Sequence, residues 1–451
     1  MSTGSDLVAL TRRLCQVKTA VVADGNQELF SLIEKELPLE RFFFRSGDSF
    51  NGWMVPDNWK VIRARIFCEG EEVFDCTQNA LGVAYYSKSF TGDLTLEQLK
   101  QFVVTNPDLP DAFMFHCMWQ YRPWDAQWAL SIPYEVFKNW PEGRYRVDLS
   151  TEYSASAMIV AHSEVKGESD KTIIFNSHTC HPHMANDGLA GAAIFIRLLQ
   201  QLSEQKNYYT YRLVLAPEHI GTVFYLRDQP EQEISNMVCG VFQEMPGTSG
   251  NVKATSTFNG SQKIDLAFSN VLKHSTCGYE IVPWRKGAGN DETVWEAPGY
   301  EVPFVELTRC EDQFAPFPEY HSNLDTADIL DEKQMAEMYR VLEELVFILE
   351  HDATLHRKFN GLICLSNPEY DLYMERPDPT VVKDLEEDAE KWGHLLDCVF
   401  RYMDGSKTIL EIAELHDLPF QRLYNYFQRF EEKGLVDLNF SEITRQDPSR
   451  C

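Results

Sequence analysis

Asn176-Ser-His-Thr-Cys-His-Pro-His-Met-Ala-Asn-Asp-Gly-Leu-Ala-Gly191 is the stretch on which the reading of this chain turns. The short apolar run Thr172–Ser177 leads into it, fit for a buried strand. Behind it, Gly188–Leu202 spaces Leu189, Ala192, Ala193, Ile196, Leu198 and Leu199 as one helical face. Strand, polar loop, glycine turn and helix form a unit in which ligands sit at the strand's carboxyl end. The loop offers His178, His181, His183 and Asp187, and imidazole with carboxylate suits Zn²⁺. Histidines that only hydrogen-bond to their own loop are the competing reading, and His183 is the one expected to stand aside.

Working outward, carboxylates recur at strand ends. Leu213-Val-Leu-Ala-Pro-Glu-His-Ile-Gly221 puts Glu218 just after an apolar run, the rigid placement a general base needs, although a helix start also favours an acid. Val241-Phe-Gln-Glu-Met-Pro-Gly247 ends a second such run on Glu244, where a carboxylate is costly unless paired or bound. Gly287-Ala-Gly-Asn-Asp-Glu292 is a glycine-rich loop holding Asp291 and Glu292. Glu319-Tyr-His-Ser-Asn-Leu-Asp-Thr326 offers His321 and Asp325, the latter equally a helix cap.

These segments lie in an alternating pattern. Tyr211–Ala216, Met237–Gln243 and Pro303–Leu307 read as strands, and 331–349 as a long amphipathic helix. The fold class expected is α/β, a mixed sheet flanked by helices, built from residues 1–50 and 146–360. A helix is expected over 6–38. Residues 51–145 break the pattern: short aromatic and β-branched runs punctuated by Pro and Gly predict a β-rich insert beside the site. Residues 366–390 are acidic and read as a linker. Beyond it, 370–451 reads as a winged helix-turn-helix unit, with helices at 406–415 and 420–433 and a strand at 434–440.

Composition narrows the function. With 69 acidic and 41 basic residues the net charge is −28, which repels phosphate backbones. Residues 366–451 carry 19 acids against 10 bases, so no nucleic-acid partner is expected even for the helix-turn-helix unit. No run approaches the roughly 18 apolar residues of a membrane span. Eleven cysteines are scattered singly, the pattern of reduced thiols, and no secretory signal is evident, so the expected compartment is the cytoplasm. The aromatic-rich insert is compatible with a homo-oligomer.

The ordered set His, Asp, Glu, Glu, His resembles the co-catalytic zinc exopeptidases, the superfamily of leucyl aminopeptidases and glutaminyl cyclases. His178 or His181, Asp187, Glu218, Glu244 and His321 fall on that superfamily's positions for ligand, bridging ligand, base, ligand and ligand. The chain is also similar to a bacterial aminopeptidase-like family with "HxCHPxxANDNxSG", "PExIGS", "GSDE" and "PEYHxxxD", read here at His178–Gly191, Pro217–Thr222, Gly289–Glu292 and Pro318–Asp325. The resemblance implies a zinc-dependent hydrolase acting on a peptide or aminoacyl amide near a free amino terminus, with an amide hydrolase or transferase of carbohydrate or natural-product biosynthesis, or a non-catalytic metal-binding relative, as the alternatives. It implies one or two Zn²⁺, with Asp187 as bridge, Glu218 as base, and Cys180, His219, Asp291, Glu292 and Asp325 around them. Three departures stand out. Glu218 is followed by His219, not a second glutamate, so either His219 is a ligand or one metal is held tightly. Cys180 replaces the superfamily's supporting aspartate, and Gly188 replaces an Asn.

Overall fold

The structure, a computed structural model, describes residues 2–374 and 388–445. Its centre is an eight-stranded mixed sheet. In order across the sheet the strands are Glu40–Arg45, Ala157–Val165, Thr210–Ala216, Thr172–His178, Met237–Gln243, Phe304–Thr308, Val252–Thr255 and Tyr279–Val282. Four central neighbours, from Thr210–Ala216 to Phe304–Thr308, run parallel. Every residue of these four is buried, as expected of a sheet covered on both faces.

Strand alternation sends successive side chains to opposite layers. Ile173, Phe175, Leu213 and Leu215 join a core beneath helices Thr3–Leu14, Ala190–Ser203 and Glu332–His351. Ile174 and Val214 join a second core with Phe224 and Trp295 on the other face. The α/β expectation holds.

The N-terminal helical reading is split. Helices Thr3–Leu14 and Asp24–Ile33 flank a non-helical stretch. Asn26 is the cause: its side chain accepts from the Ala20 N–H at 3.2 Å and donates to the Ala20 carbonyl at 2.7 Å, replacing the helical pairing. The released stretch reaches the histidine loop, where the Thr19 hydroxyl donates to the His181 carbonyl at 2.9 Å.

Residues between the first two strands of the main sheet build a separate four-stranded antiparallel sheet, ordered Glu71–Asp75, Asn58–Cys68, Arg144–Ser154, Phe90–Thr95. Tyr145, Val147 and Leu149 alternate inward into their own apolar cluster, with Trp128 stacked between Phe90 and Phe102 at 4.2 and 4.3 Å. This sheet continues past residue 145 to Ser154, and only two residues separate it from the strand Ala157–Val165 of the main sheet.

At the C-terminal end, Ala353–Arg357 lies between Asp404–Thr408 and Val436–Phe440 in an antiparallel sheet, with helices Ala389–Tyr402, Ile409–His416 and Phe420–Glu432. The helix read from 406 starts at Ile409. Thr408 is its cap, accepting from the Glu411 N–H at 3.2 Å while Glu411 accepts in return at 2.8 Å. Residues 375–387 of the expected linker, and 446–451, lie outside the described residues. The unit packs on the main domain: Asn270 donates to Glu414 and to the Leu418 carbonyl, and accepts from the Phe420 N–H. No helix among the described residues is long and apolar enough to cross a membrane.

Candidate metal centre

His178 is the last residue of a central strand and is fully buried. After the loop, Asp187 (φ −84°, ψ 80°) and Gly188 (φ 127°, ψ −82°) break the chain, and a regular helix starts only at Ala190. The kink turns the Asp187 carboxylate back toward the strand end. Its backbone is fixed by Asp325, which accepts from the N–H groups of Asn186 at 2.8 Å and Asp187 at 2.9 Å.

Around Asp187 the expected residues converge. His178 Nε2 lies 3.2 Å from Asp187 Oδ1 and 3.3 Å from Glu244 Oε2. His321 Nε2 lies 3.2 Å from Asp187 Oδ2, and His181 Nδ1 lies 3.7 Å from Asp187 Oδ1. Donor atoms within 4.8 Å of one another fall into overlapping sets: His178, Asp187 and Glu244; His181, Asp187 and His321; and His178, Cys180, His181 and Glu218. Asp187 thus belongs to two sets, joined by His178 in one and by His181 in the other, while the third set holds both histidines.

The residues fit a metal. His178 Nε2, His181 Nε2 and Asp187 Oδ2 are buried, yet none has an aligned hydrogen-bond partner among the described residues. Separations of 3.2 and 3.3 Å match the roughly 3.4 Å edge of a tetrahedron with zinc–ligand bonds of about 2.0–2.1 Å. Charge points the same way. Burial opposes a charged His178, but the closeness of Asp187, Cys180 and Glu244 outweighs it and raises its pKa, so these groups favour positive charge in their midst. Burial pushes the Glu244 carboxyl up to about 7 and lowers His181 to about 4, leaving a neutral imidazole of the kind a metal needs.

Glu218 sits at the edge, 18% exposed, its Oε2 3.9 Å from His181 Nε2. Burial would raise its pKa, but His181, His178 and His219 hold it down at about 2. Cys180 lies behind it: the Glu218 N–H points at Cys180 Sγ at 3.4 Å, and burial, then the Glu218 charge, keeps the thiol protonated.

The remaining expected residues do not join a ligand set. The His219 ring lies parallel to Trp53 with centroids 6.2 Å apart. Asp291 accepts from the His219 N–H and the Thr222 hydroxyl, bracing the start of helix Ile220–Asp228. Glu292 accepts from the Asn290 N–H at 2.7 Å and pairs with Arg285 at 3.0 Å. His183 points its Nδ1 to the Cys15 carbonyl at 3.2 Å, away from the others. His183, His219, Met245 and His321 all carry positive φ, a concentration of backbone strain at one place.

Sequence reading missed Asn290, whose Nδ2 donates to Glu244 Oε2 at 2.9 Å and to Glu218 Oε2 at 3.2 Å. Its only signal was the loop around it. It also missed a pocket of about 490 Å³ opening on Glu218 and His219, walled by Trp53, Tyr121, Arg122 and Trp124. No periodicity in the sequence links those four to the ligand loop.

The chain is 27% identical over 356 residues to a candidate polysaccharide biosynthesis protein with aminopeptidase-like domain from Clostridium acetobutylicum, covering 78% of this chain and 79% of that one. A crystal structure of a candidate peptidase from the same organism superposes with a TM-score of 0.79 at 24% identity, over 97% of this chain and 96% of that one. The zinc aminopeptidase of Bacillus subtilis superposes at 0.54 with 12% identity, over 76% of this chain and 94% of that one, so the aminopeptidase fold is shared. A family profile described as a domain of unknown function, DUF4910, matches residues 8–352, and the chain belongs to that family.

Proposed function

We propose that the chain is a zinc-dependent hydrolase of the aminopeptidase type, cleaving an amide bond near a free amino terminus. The observation that carries this is Asp187, shared between His178 with Glu244 and His181 with His321, with the ionised Glu218 beside them. His178, His181, Asp187, Glu244 and His321 would hold zinc, as one ion or two, and bound zinc would supply Lewis acidity there. Glu218 accepts the proton of the attacking water at Oε2 and returns it to the leaving amine, while Asn290 holds that oxygen in place. A substrate ammonium is drawn by the surrounding carboxylates, and the pocket of about 490 Å³ takes a peptide or aminoacyl amide.

A second reading is favoured by the walls of that pocket. Trp53 and Trp124 offer aromatic faces and Arg122 a cation, a combination that suits an amide substituent on a sugar, in keeping with the name of the Clostridium relative. The cysteines, free among the described residues, support work in the reducing cytoplasm. The C-terminal unit serves packing in this reading. Three cations of helix Phe420–Glu432 and the turn after it are engaged, Arg422 with Asp388 at 3.0 Å, Arg429 with the Asp371 carbonyl and Lys433 with the Glu369 carbonyl at 3.0 Å.

The test is metal analysis with an aminoacyl-amide panel. Purified protein should hold one or two zinc equivalents, and Glu218→Gln should keep them while losing turnover. Zinc loss in Glu218→Gln would make that residue a ligand. A fully loaded wild type inert on every aminoacyl amide but active on N-acylated sugars would establish the second reading.

A further inference from the structure

The C-terminal unit brings together three more donors that the first centre does not use. One donor atom each of His394, Cys398 and His416 lies within 4.8 Å of the others. His394 and Cys398 are four residues apart on helix Ala389–Tyr402 and so share a face. His394 Nε2 is 3.9 Å from Cys398 Sγ. A zinc ion with bonds of about 2.3 Å to sulfur and about 2.0 Å to nitrogen separates those atoms by roughly 3.5 Å, a small closure from the distance found. His416 ends the neighbouring helix Ile409–His416, and its ring centroid is 5.0 Å from that of His394.

His416 supplies an independent indication. It is 5% exposed, and its Nε2 lies 3.1 Å from the Tyr402 hydroxyl. Its Nδ1 is buried with no hydrogen-bond partner among the described residues. When Nε2–H donates to Tyr402, the lone pair is left on Nδ1, and this is the tautomer a metal ligand requires. A buried acceptor without a partner is costly, and an ion would satisfy it. Burial, then the neighbouring His394, keeps the ring neutral.

We propose that His394, Cys398 and His416 form a second metal site for a zinc-type divalent ion, with a water in the fourth position. Nitrogen and thiolate ligands select such borderline ions over calcium or magnesium. Binding removes the Cys398 thiol proton to solvent and ties helix Ala389–Tyr402 to helix Ile409–His416. The site stands independently of the hydrolase reading.

The experiment strips metal from the full chain, titrates it with Co²⁺ and follows thiolate-to-cobalt absorption in the near ultraviolet with bound cobalt counted. Cys398→Ser and His394→Asn should each abolish that absorption and bind one equivalent less than wild type, with unchanged far-ultraviolet circular dichroism. Cys180→Ser should retain the absorption. His394 is exposed, so its variant tests the site without disturbing a buried position. Equal stoichiometry in wild type and both variants would overturn the proposal, as would loss of the absorption in Cys180→Ser and not in Cys398→Ser.

Discussion

Asn290 donates its side-chain amide to Glu218 Oε2 at 3.2 Å. The same nitrogen donates to Glu244 at 2.9 Å, so one amide sets the distance between the proposed base and a proposed ligand. The loop behind it is anchored by Glu306, which accepts from the Gly289 N–H at 2.6 Å. Asn290→Ala should therefore lower kcat by about 10–100-fold, the usual effect of losing a group that orients a ligand. Zinc should remain bound. Steady-state kinetics beside metal analysis checks this, and wild-type kcat in the variant would remove Asn290 from the account.

The three loop histidines should separate in metal content. His181→Ala and His321→Ala each remove a donor close to Asp187 and should lower zinc occupancy. His183→Ala should leave it unchanged, because that ring is turned to Cys15. Elemental analysis after dialysis reads the difference directly.

Gly188 has φ 127°, and an added Cβ would come within 2.9 Å of His178 Cε1. Gly188→Ala should destabilise the fold by about 1–3 kcal/mol through backbone strain alone. Pressing on His178, it should also weaken zinc binding. Gly299 shares a positive φ of 91° but has nothing within 4 Å. Gly299→Ala should show strain without weakened zinc binding, and equal zinc affinity in both variants would refute the contact with His178.

Glu296 offers a pH test remote from the metal ligands. Its Oε1 accepts from the Phe258 N–H at 2.9 Å and the Phe304 N–H at 3.0 Å. Burial foremost, with Asp265 and Glu292 adding, raises its carboxyl to about 7 despite those bonds. A folded pKa above the unfolded value gives stability that is present below about 4.5 and lost as pH rises through about 7. Glu296→Gln keeps the acceptor oxygen and cannot ionise. It should match wild type at pH 4 and exceed it at pH 8 by on the order of 1 kcal/mol in denaturant unfolding.

The ligand loop was legible because strand, histidines, aspartate and helix are contiguous from Thr172 to Leu202, so local pattern and site coincide. Glu244 and His321 were legible as polar residues where an apolar strand or a helix approach ends. The partition of His178 and His181 was not, because it depends on the backbone path of one loop held from outside by Thr19 and Asp325. Asn290 escaped for a related reason, since its role exists only once Glu218 and Glu244 are brought to it from two other strands. The strand Arg144–Ser154 alternates as a strand should, but only its partners show which sheet owns it.

The proposed ligand His321 is strapped to the β-rich insert by its own main chain. The Phe115 N–H donates to the His321 carbonyl at 2.7 Å, and the Asn323 N–H donates to the Phe113 carbonyl at 3.0 Å. The Phe115 ring then stands edge-on to His181 and His321, with centroids 5.1 and 5.3 Å away. A tilt of the insert would therefore carry one proposed ligand and lean on another, so that under the proposed function gripping a substrate and tuning the metal become a single mechanical event.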